Sequence, residues 1–294
     1  MFNEWVHRDL GQPGGEPSRG KTGDAEILSK ILTTPPDALF ADINRLADQG
    51  ADVDAFVNPV NNLVSIMRLA VGSVLEPWTH LYRATKYHQN VPTHLSEIAY
   101  PPADRIRTLG RCNRIGQSVF YCSSDVNCVL FEIKPAKDLV VRATCKVTKQ
   151  LFFQDLGYSQ PAFDRLGASR EVPTPYQDFE ERLDDTALRI RKFLADAFTE
   201  PTSRMYPLTV AITENHLRCD DVAGVLYPAI TRNAGCDNLA ILPRVVDHSL
   251  ELVHAELYEF GAGMRPSRMP TESQISKAYD LMVCWSGSMA DLRP

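Results

Sequence analysis

The residues best suited to chemistry crowd into positions 81–135. Arg83 ends the short β-rich run Thr79-His80-Leu81-Tyr82, and Arg111 follows Gly110 in a turn-rich stretch. Tyr121 lies inside the β-rich run Ser118-Val119-Phe120-Tyr121-Cys122, and Glu132 closes the apolar run Cys128-Val129-Leu130-Phe131. Guanidinium groups favour anionic oxygens, and a carboxylate can stabilise developing positive charge. Periodicity alone leaves Glu132 open between a solvated helix face and a pocket wall. It also leaves Arg83 open between a ligand contact and a strand-end salt bridge. Other chemistries lack their signatures. The chain has no GxSxG, no GxxxxGK[ST], no GxGxxG and no HExxH, which weakens the hydrolase, NTPase, dehydrogenase and metalloprotease readings. The seven cysteines (112, 122, 128, 145, 219, 236 and 284) form no CxxC pair, so they read as reduced, small apolar residues rather than metal ligands. The histidines nearest the region, His80, His88 and His94, read as exposed or satisfied residues.

The elements that must position these groups follow from pattern. Thr34-Pro35-Pro36-Asp37 reads as a helix start, with Phe40, Ile43 and Ala47 at helical spacing and Gly50 as the stop. A second helix is predicted between Val53 and Val71, started late or kinked by Pro59. A strand is expected at 79–83, a loop at 84–110, a strand at 118–122 and a short helix from Asp125 to Ile133 capped by Ser123 or Ser124. Leu139–Val147 reads as a strand. Phe179, Leu183, Ala187, Ile190, Leu194 and Ala197 form one apolar stripe, predicting a single long helix that Pro201 stops. A helix at 206–216, strands at 223–227, 238–242 and 252–260, and a modest helix from Glu272 to Cys284 complete the reading. Without a regular βαβ rhythm, the class is α+β. The domain division is 1–23 disordered, 24–75 helical and 76–294 the main domain. The helical region is either a packing layer or a partner-binding segment.

Composition narrows the function. Among 294 residues, 31 Lys and Arg stand against 37 Asp and Glu, a net charge of −6. That argues against a surface dedicated to nucleic acid, while leaving room for a small basic pocket. No apolar run reaches the length of a bilayer span, and the N-terminus lacks the apolar core of a signal peptide, so the chain reads as cytoplasmic.

The order Leu81-Tyr82-Arg83-Ala84, a Pro-Pro pair, Gly110-Arg111-Cys112-Asn113-Arg114-Ile115-Gly116 through Tyr121, then Val129-Leu130-Phe131-Glu132, resembles the RES domain. A second block, Gly224-Val225-Leu226-Tyr227-Pro228-Ala229 followed by Asn238-Leu239-Ala240-Ile241, is similar to the family's GxxYPS…NxAI pattern. The resemblance implies an ADP-ribosyltransferase-like fold with a mixed-sheet core and a helical N-terminal extension. It also implies an NAD-consuming toxin, a phosphorylase or glycohydrolase, paired with an Xre-type antitoxin. NAD would be substrate rather than cofactor, inorganic phosphate a candidate co-substrate, and no metal would be needed. Arg83 and Arg111 would hold the diphosphate, Tyr121 would stack on the nicotinamide side, and Glu132 would bind ribose hydroxyls and stabilise the cation. Asn113, Tyr227 and Asn238 would join substrate binding, Asn238 by orienting Glu132 or a ribose hydroxyl. Phosphate as acceptor calls for a second cation, for which Arg114 and Arg232 are the candidates. Homo-oligomerisation is a further expectation. The family's Ser after Tyr-Pro is Ala229 here; if that hydroxyl contacts substrate, its loss would lower activity or move the role to a neighbour such as Thr231. Two rivals therefore stand beside this reading: an ADP-ribosyltransferase acting on a macromolecule, and a RES-like scaffold that has lost catalysis and binds a nucleotide or a partner.

Overall fold

The computed structural model describes residues 35–67, 72–87, 98–134, 139–181, 183–259, 281–283 and 287–288. The stretch 1–23, the cap Thr34, His88, His94, Cys284 and most of the helix expected from Glu272 lie outside them. Leu281–Val283, part of that expected helix, forms a strand instead.

The chain opens with helices α1 (Pro36–Asp48) and α2 (Val53–Met67). Proline in its first turn and Asp37 beside it start α1, and Gly50, at φ 67, lets the chain leave it. The Asp52 carboxylate caps α2 by accepting from the Ala55 amide at 3.1 Å. Pro59 does not delay α2, which runs through it. These helices pack on α6 (Asp185–Thr199) and α7 (Tyr206–His216). Leu39, Ile43, Phe56, Val60 and Leu63 meet Ile190, Leu194, Phe198, Leu208 and Ile212 in one buried cluster. Each such side chain contributes about 1.5–3 kcal/mol on burial. The surface ion pairs Arg204–Asp48 and Arg189–Asp37 along the same seam are largely exposed and add little.

Beneath this layer lies a sheet that has ten strands among the described residues. They are β1 (Gly72–Leu75), β2 (His80–Tyr87), β3 (Phe120–Ser123), β4 (Leu139–Val147), β5 (Leu151–Asp155), β6 (Val222–Pro228), β7 (Asp237–Ile241), β8 (Leu250–Glu259), β9 (Leu281–Val283) and β10 (Gly287–Ser288). The order is β1-β5-β6-β7-β3-β2-β4-β8-β10, with β9 also on β8. Among the described strands only β5 and β6 run parallel, so the sheet is mixed and the fold α+β. Residues 72–75, read as part of the helical region, are the sheet's first edge. Strand alternation sorts the side chains. Phe120, Cys122, Leu226, Leu239 and Ile241 enter one core cluster, while Tyr121, Val225, Tyr227 and Ala240 face the helical layer.

The expected long helix at 179–197 is two, α5 (Thr174–Glu180) and α6. Asp184 breaks the stripe, because its carboxylate caps α6 by accepting from the Ala187 amide at 2.8 Å. The short helix α3 is Cys128–Ile133, capped by Asp125 rather than by the serines. Ser123 instead bonds the Asp237 carbonyl across to β7. The remaining helices α4 (Gln160–Leu166) and α8 (Pro243–Ser249) had no sequence expectation. No helix among the described residues is long and apolar enough to cross a membrane.

Candidate active site

Between β2 and β3 the sheet comes apart. The two strands share one register pair, Tyr82 with Ser123, whereas β2 and β4 share eight. Over this opening lies a cleft of about 640 Å³, lined among others by Arg83, Arg111, Tyr121, Glu132, Tyr227, Thr231 and Asn238. A cavity of this size suits a nucleotide-sized ligand.

Arg83 fills the gap itself. It leaves β2 on the side of Leu81, and its guanidinium lies 5.3 Å from the centre of the Phe120 ring. Its Nη1 donates to the Tyr121 carbonyl at 2.9 Å, and its Nε to the Ile98 carbonyl at 3.2 Å. The side chain thus satisfies a β3 carbonyl where the strands have parted. Burial pulls the Arg83 guanidinium below its ordinary value, but arginine stays cationic across the physiological range.

Tyr121 is held by the turn that precedes it. Its hydroxyl accepts from the Cys112 amide at 2.8 Å and donates to Asn113 Oδ1 at 2.8 Å. Gly110 makes this possible: a Cβ there would sit 2.1 Å from Asn113 Oδ1 and 2.8 Å from the Tyr121 hydroxyl. Gly116, at φ 75, closes the same turn. Burial raises the Tyr121 phenol well above its usual range, so it stays neutral. Asn113 is buried behind Tyr121 and does not line the main cleft.

Arg111 sits at the end of α6. Its Nη1 donates to the Phe198 carbonyl at 2.6 Å and its Nη2 to the Glu200 carbonyl at 3.0 Å. A cation is favourable at a helix C-terminus, so the side chain is positioned by the helix while also lining the cleft. Its guanidinium lies 5.1 Å from the centre of the Tyr206 ring, a wall residue the sequence did not single out.

Glu132 lies near the end of α3, exposed at the cleft wall. Its Oε1 accepts two bonds, from Asn238 Nδ2 at 2.8 Å and from the Thr231 hydroxyl at 2.7 Å. The Cys128 thiol in turn donates to Asn238 Oδ1 at 3.5 Å, which fixes which end of the amide faces Glu132. The cysteine reading as inert filler missed this contact. The signal was available: Cys128 precedes Glu132 by four residues, so helical spacing puts both on one face. Cys236 beside it, and burial, push the Cys128 thiol upward, so it remains a donor. Ala229 is fully buried against Cys128 and Cys236, and the hydroxyl that reaches the carboxylate comes from Thr231.

The two candidate phosphate cations are placed elsewhere. Arg114 is locked to Glu214 at 2.6 Å and to Asp54 of α2 at 2.7 Å. Glu214, then Asp54, hold its guanidinium above the ordinary value. Arg232 lies with its guanidinium 4.3 Å from the centre of the Phe131 ring and does not line the cleft. His80 is exposed.

No curated protein matches the chain. A solved structure that resembles it is the crystal structure of the MbcT–MbcA toxin–antitoxin complex of M. tuberculosis. That match has 15% identity and a TM-score of 0.34, and covers 62% of this chain and 80% of the other. The family model of the RES domain matches residues 80–261, more than half of the chain. The chain belongs to the RES-domain family.

Proposed function

We propose that this protein consumes NAD by breaking the bond between nicotinamide and ribose. The observation that carries the reading is the convergence of Glu132, Tyr121, Arg83 and Arg111 on one cleft, with one Glu132 oxygen held by Asn238 and Thr231.

Nicotinamide in NAD is a cationic leaving group, so no general acid is needed to expel it. As the bond breaks, its electron pair passes to the pyridinium ring, which leaves neutral. Positive charge then grows on the ribose carbon, as in other glycosyl transfers. The Glu132 oxygen not engaged by Asn238 or Thr231 is free to meet that charge or a ribose hydroxyl. Electrostatic stabilisation by a carboxylate already held in place costs no reorganisation at the moment of reaction. Tyr121, with its hydroxyl occupied from behind, offers a ring on which the nicotinamide end stacks. Arg111 and Arg83 supply positive charge for the diphosphate. An acceptor oxygen, from water or phosphate, bonds to the ribose carbon and releases its proton to solvent. On this reading the enzyme works on the cytoplasmic NAD pool and is restrained by an antitoxin of the Xre type.

Purified protein incubated with NAD, with and without inorganic phosphate, tests the proposal by chromatography of the products. Nicotinamide release is the expected result. ADP-ribose alone identifies a glycohydrolase, and ADP-ribose 1″-phosphate appearing only with phosphate identifies a phosphorylase. NAD that binds and stays intact in both conditions overturns the catalytic reading in favour of a binding scaffold.

A further inference from the structure

A second recess, about 240 Å³, opens beside the cleft and shares two walls with it, Arg83 and Tyr121. Its other polar walls are Arg105, Arg107, Thr108 and Asn113. No carboxylate lines it, although Asp104 precedes Arg105 on the same turn. This is unusual for a chain with a net charge of −6.

Many arginines of this protein are already paired with acids. Arg114, Arg142, Arg170 and Arg191 each hold a carboxylate. Arg83, Arg105 and Arg107 hold no carboxylate among the described residues, as is also true of Arg111, Arg218 and Arg244, but these three converge on the one recess. Arg83 supplies charge from below, in a setting dry enough to lower its proton affinity. Arg105 and Arg107 supply it from the exposed rim. Charge in a recess with low-dielectric walls is felt more strongly than charge on an open surface. The rim is built rather than loose: the Ser118 hydroxyl donates to the Pro101 carbonyl at 2.8 Å, and the Gly116 amide to the Ile106 carbonyl at 3.1 Å. These bonds tie the segment before Arg105, at Pro101, and between the two arginines, at Ile106. The polar atoms of Tyr121 and Asn113 are taken, by each other, by the Cys112 amide and by the Arg114 carbonyl, so the guanidinium groups dominate what the recess offers a ligand.

We propose that the recess lined by Arg83, Arg105 and Arg107 is a phosphate-binding site adjoining the cleft. Its use in catalysis rests on the NAD-consuming reading of that cleft. The volume lies below the roughly 300–1,000 Å³ of sites for larger ligands, so it suits one phosphate group rather than a whole dinucleotide. Guanidinium groups match phosphate oxygens in pairs. This also reassigns the second cation that a phosphate acceptor calls for. Arg114 is consumed by Glu214 and Asp54, whereas Arg105 and Arg107 are open. The phosphate has two sources, free inorganic phosphate or a phosphate carried by the dinucleotide.

The test is the double variant Arg105→Gln/Arg107→Gln, with Arg218→Gln as a control that removes an exposed arginine elsewhere. Exposed positions leave the fold intact, which thermal melting checks. Inorganic phosphate binding is measured by calorimetry without NAD, and turnover is then measured with NAD and with NADP across a phosphate titration. The proposal expects the double variant to bind phosphate at least tenfold more weakly than the wild type and the control. That loss with an unchanged KM for the dinucleotide identifies free phosphate as the ligand. Unchanged phosphate binding with a KM for NAD or NADP raised at least tenfold identifies a phosphate of the dinucleotide. Phosphate affinity and both KM values within twofold of wild type overturn the site. Intact phosphate binding with no nicotinamide release from the wild type sinks the NAD reading and leaves the anion site standing.

Discussion

Asp237 and Asn238 are neighbours at the start of β7, and strand alternation sends them to opposite faces of the sheet, where they meet opposite kinds of polar chemistry. On one face the Asp237 carboxylate is closed off. Arg170 grips both its oxygens, and the Tyr158 hydroxyl donates to one of them at 2.8 Å. On the other face Asn238 steers the Glu132 carboxylate, and both protein bonds go to a single oxygen. One acid is spent on structure, and the other is held in place but left open to a ligand. A buried charge that is fully partnered fixes geometry, and a partly partnered one at a cleft can do chemistry.

The sharpest way to break the comparison is at the open acid. Glu132→Gln keeps the shape and can still accept from Thr231, but loses the charge. Nicotinamide release is expected to fall about a thousandfold, the scale of losing a preorganised electrostatic contact. The melting temperature is expected to stay within a degree or so. Turnover near wild type in this variant removes Glu132 from the mechanism.

The closed acid should respond in the opposite sense. Arg170→Met leaves Asp237, 4% exposed, without its cation. Breaking a buried pair from one side costs about 3 kcal/mol or more. Urea unfolding is expected to show that loss. A variant that loses less than about 1 kcal/mol would make the pair ornamental, since that is the worth of an exposed ion pair.

Further along the closed network, Asp155 supplies a pH test. Its Oδ2 accepts from the Ser73 hydroxyl at 2.6 Å and from the Tyr176 hydroxyl at 2.8 Å. Burial outweighs those bonds and raises its carboxyl to about 8. The folded protein therefore keeps a proton that the unfolded chain releases near pH 4. Linkage then makes stability fall as pH rises from about 4 to about 8 and level off above. Asp155→Asn mimics the protonated form and should flatten that slope, with a gain on the order of 2 kcal/mol at pH 8.5. Thermal melts of both proteins at pH 5 and pH 8.5 check the sign. An unchanged slope in the variant assigns the pH dependence to another group.

The open region was far more legible in the sequence than the closed one. Periodicity alone left Arg83 and Glu132 open, and the likeness to the RES pattern picked them out together with Arg111 and Tyr121, all four of which line the cleft. The division at Asp184 was hidden because an apolar stripe with spacing of three and four runs through it, and one capping carboxylate outweighs periodicity locally. The pairing of Asp237 with Arg170 was illegible for another reason. The partners lie 67 residues apart, and a buried acid looks like any surface acid in one dimension. Asn113 is the intermediate case. Its place in the turn was readable, but its use as the bracket for Tyr121 depends on the close approach that Gly110 allows.

The finest test of the open site is the hydroxyl at position 231. The family pattern puts a serine where this chain has Ala229, and Ala229 is buried beside two thiols with no reach to Glu132 through a methyl group. The Thr231 hydroxyl, two residues on, donates to Glu132 Oε1 at 2.7 Å. Thr231→Val keeps the shape and removes that donor. One hydrogen bond to a charged group contributes about 1.5 kcal/mol or somewhat more, so kcat should fall about tenfold with little change in KM. Thr231→Ser restores a hydroxyl at the same position and should recover most of the loss. If the valine variant matches wild type, Asn238 alone orients the carboxylate and the hydroxyl is incidental. If serine fails to rescue a slow valine variant, the methyl group of Thr231 shapes the wall and the bond does not. Rescue by serine with KM unchanged throughout would locate the hydroxyl in the charge-stabilising step rather than in substrate binding.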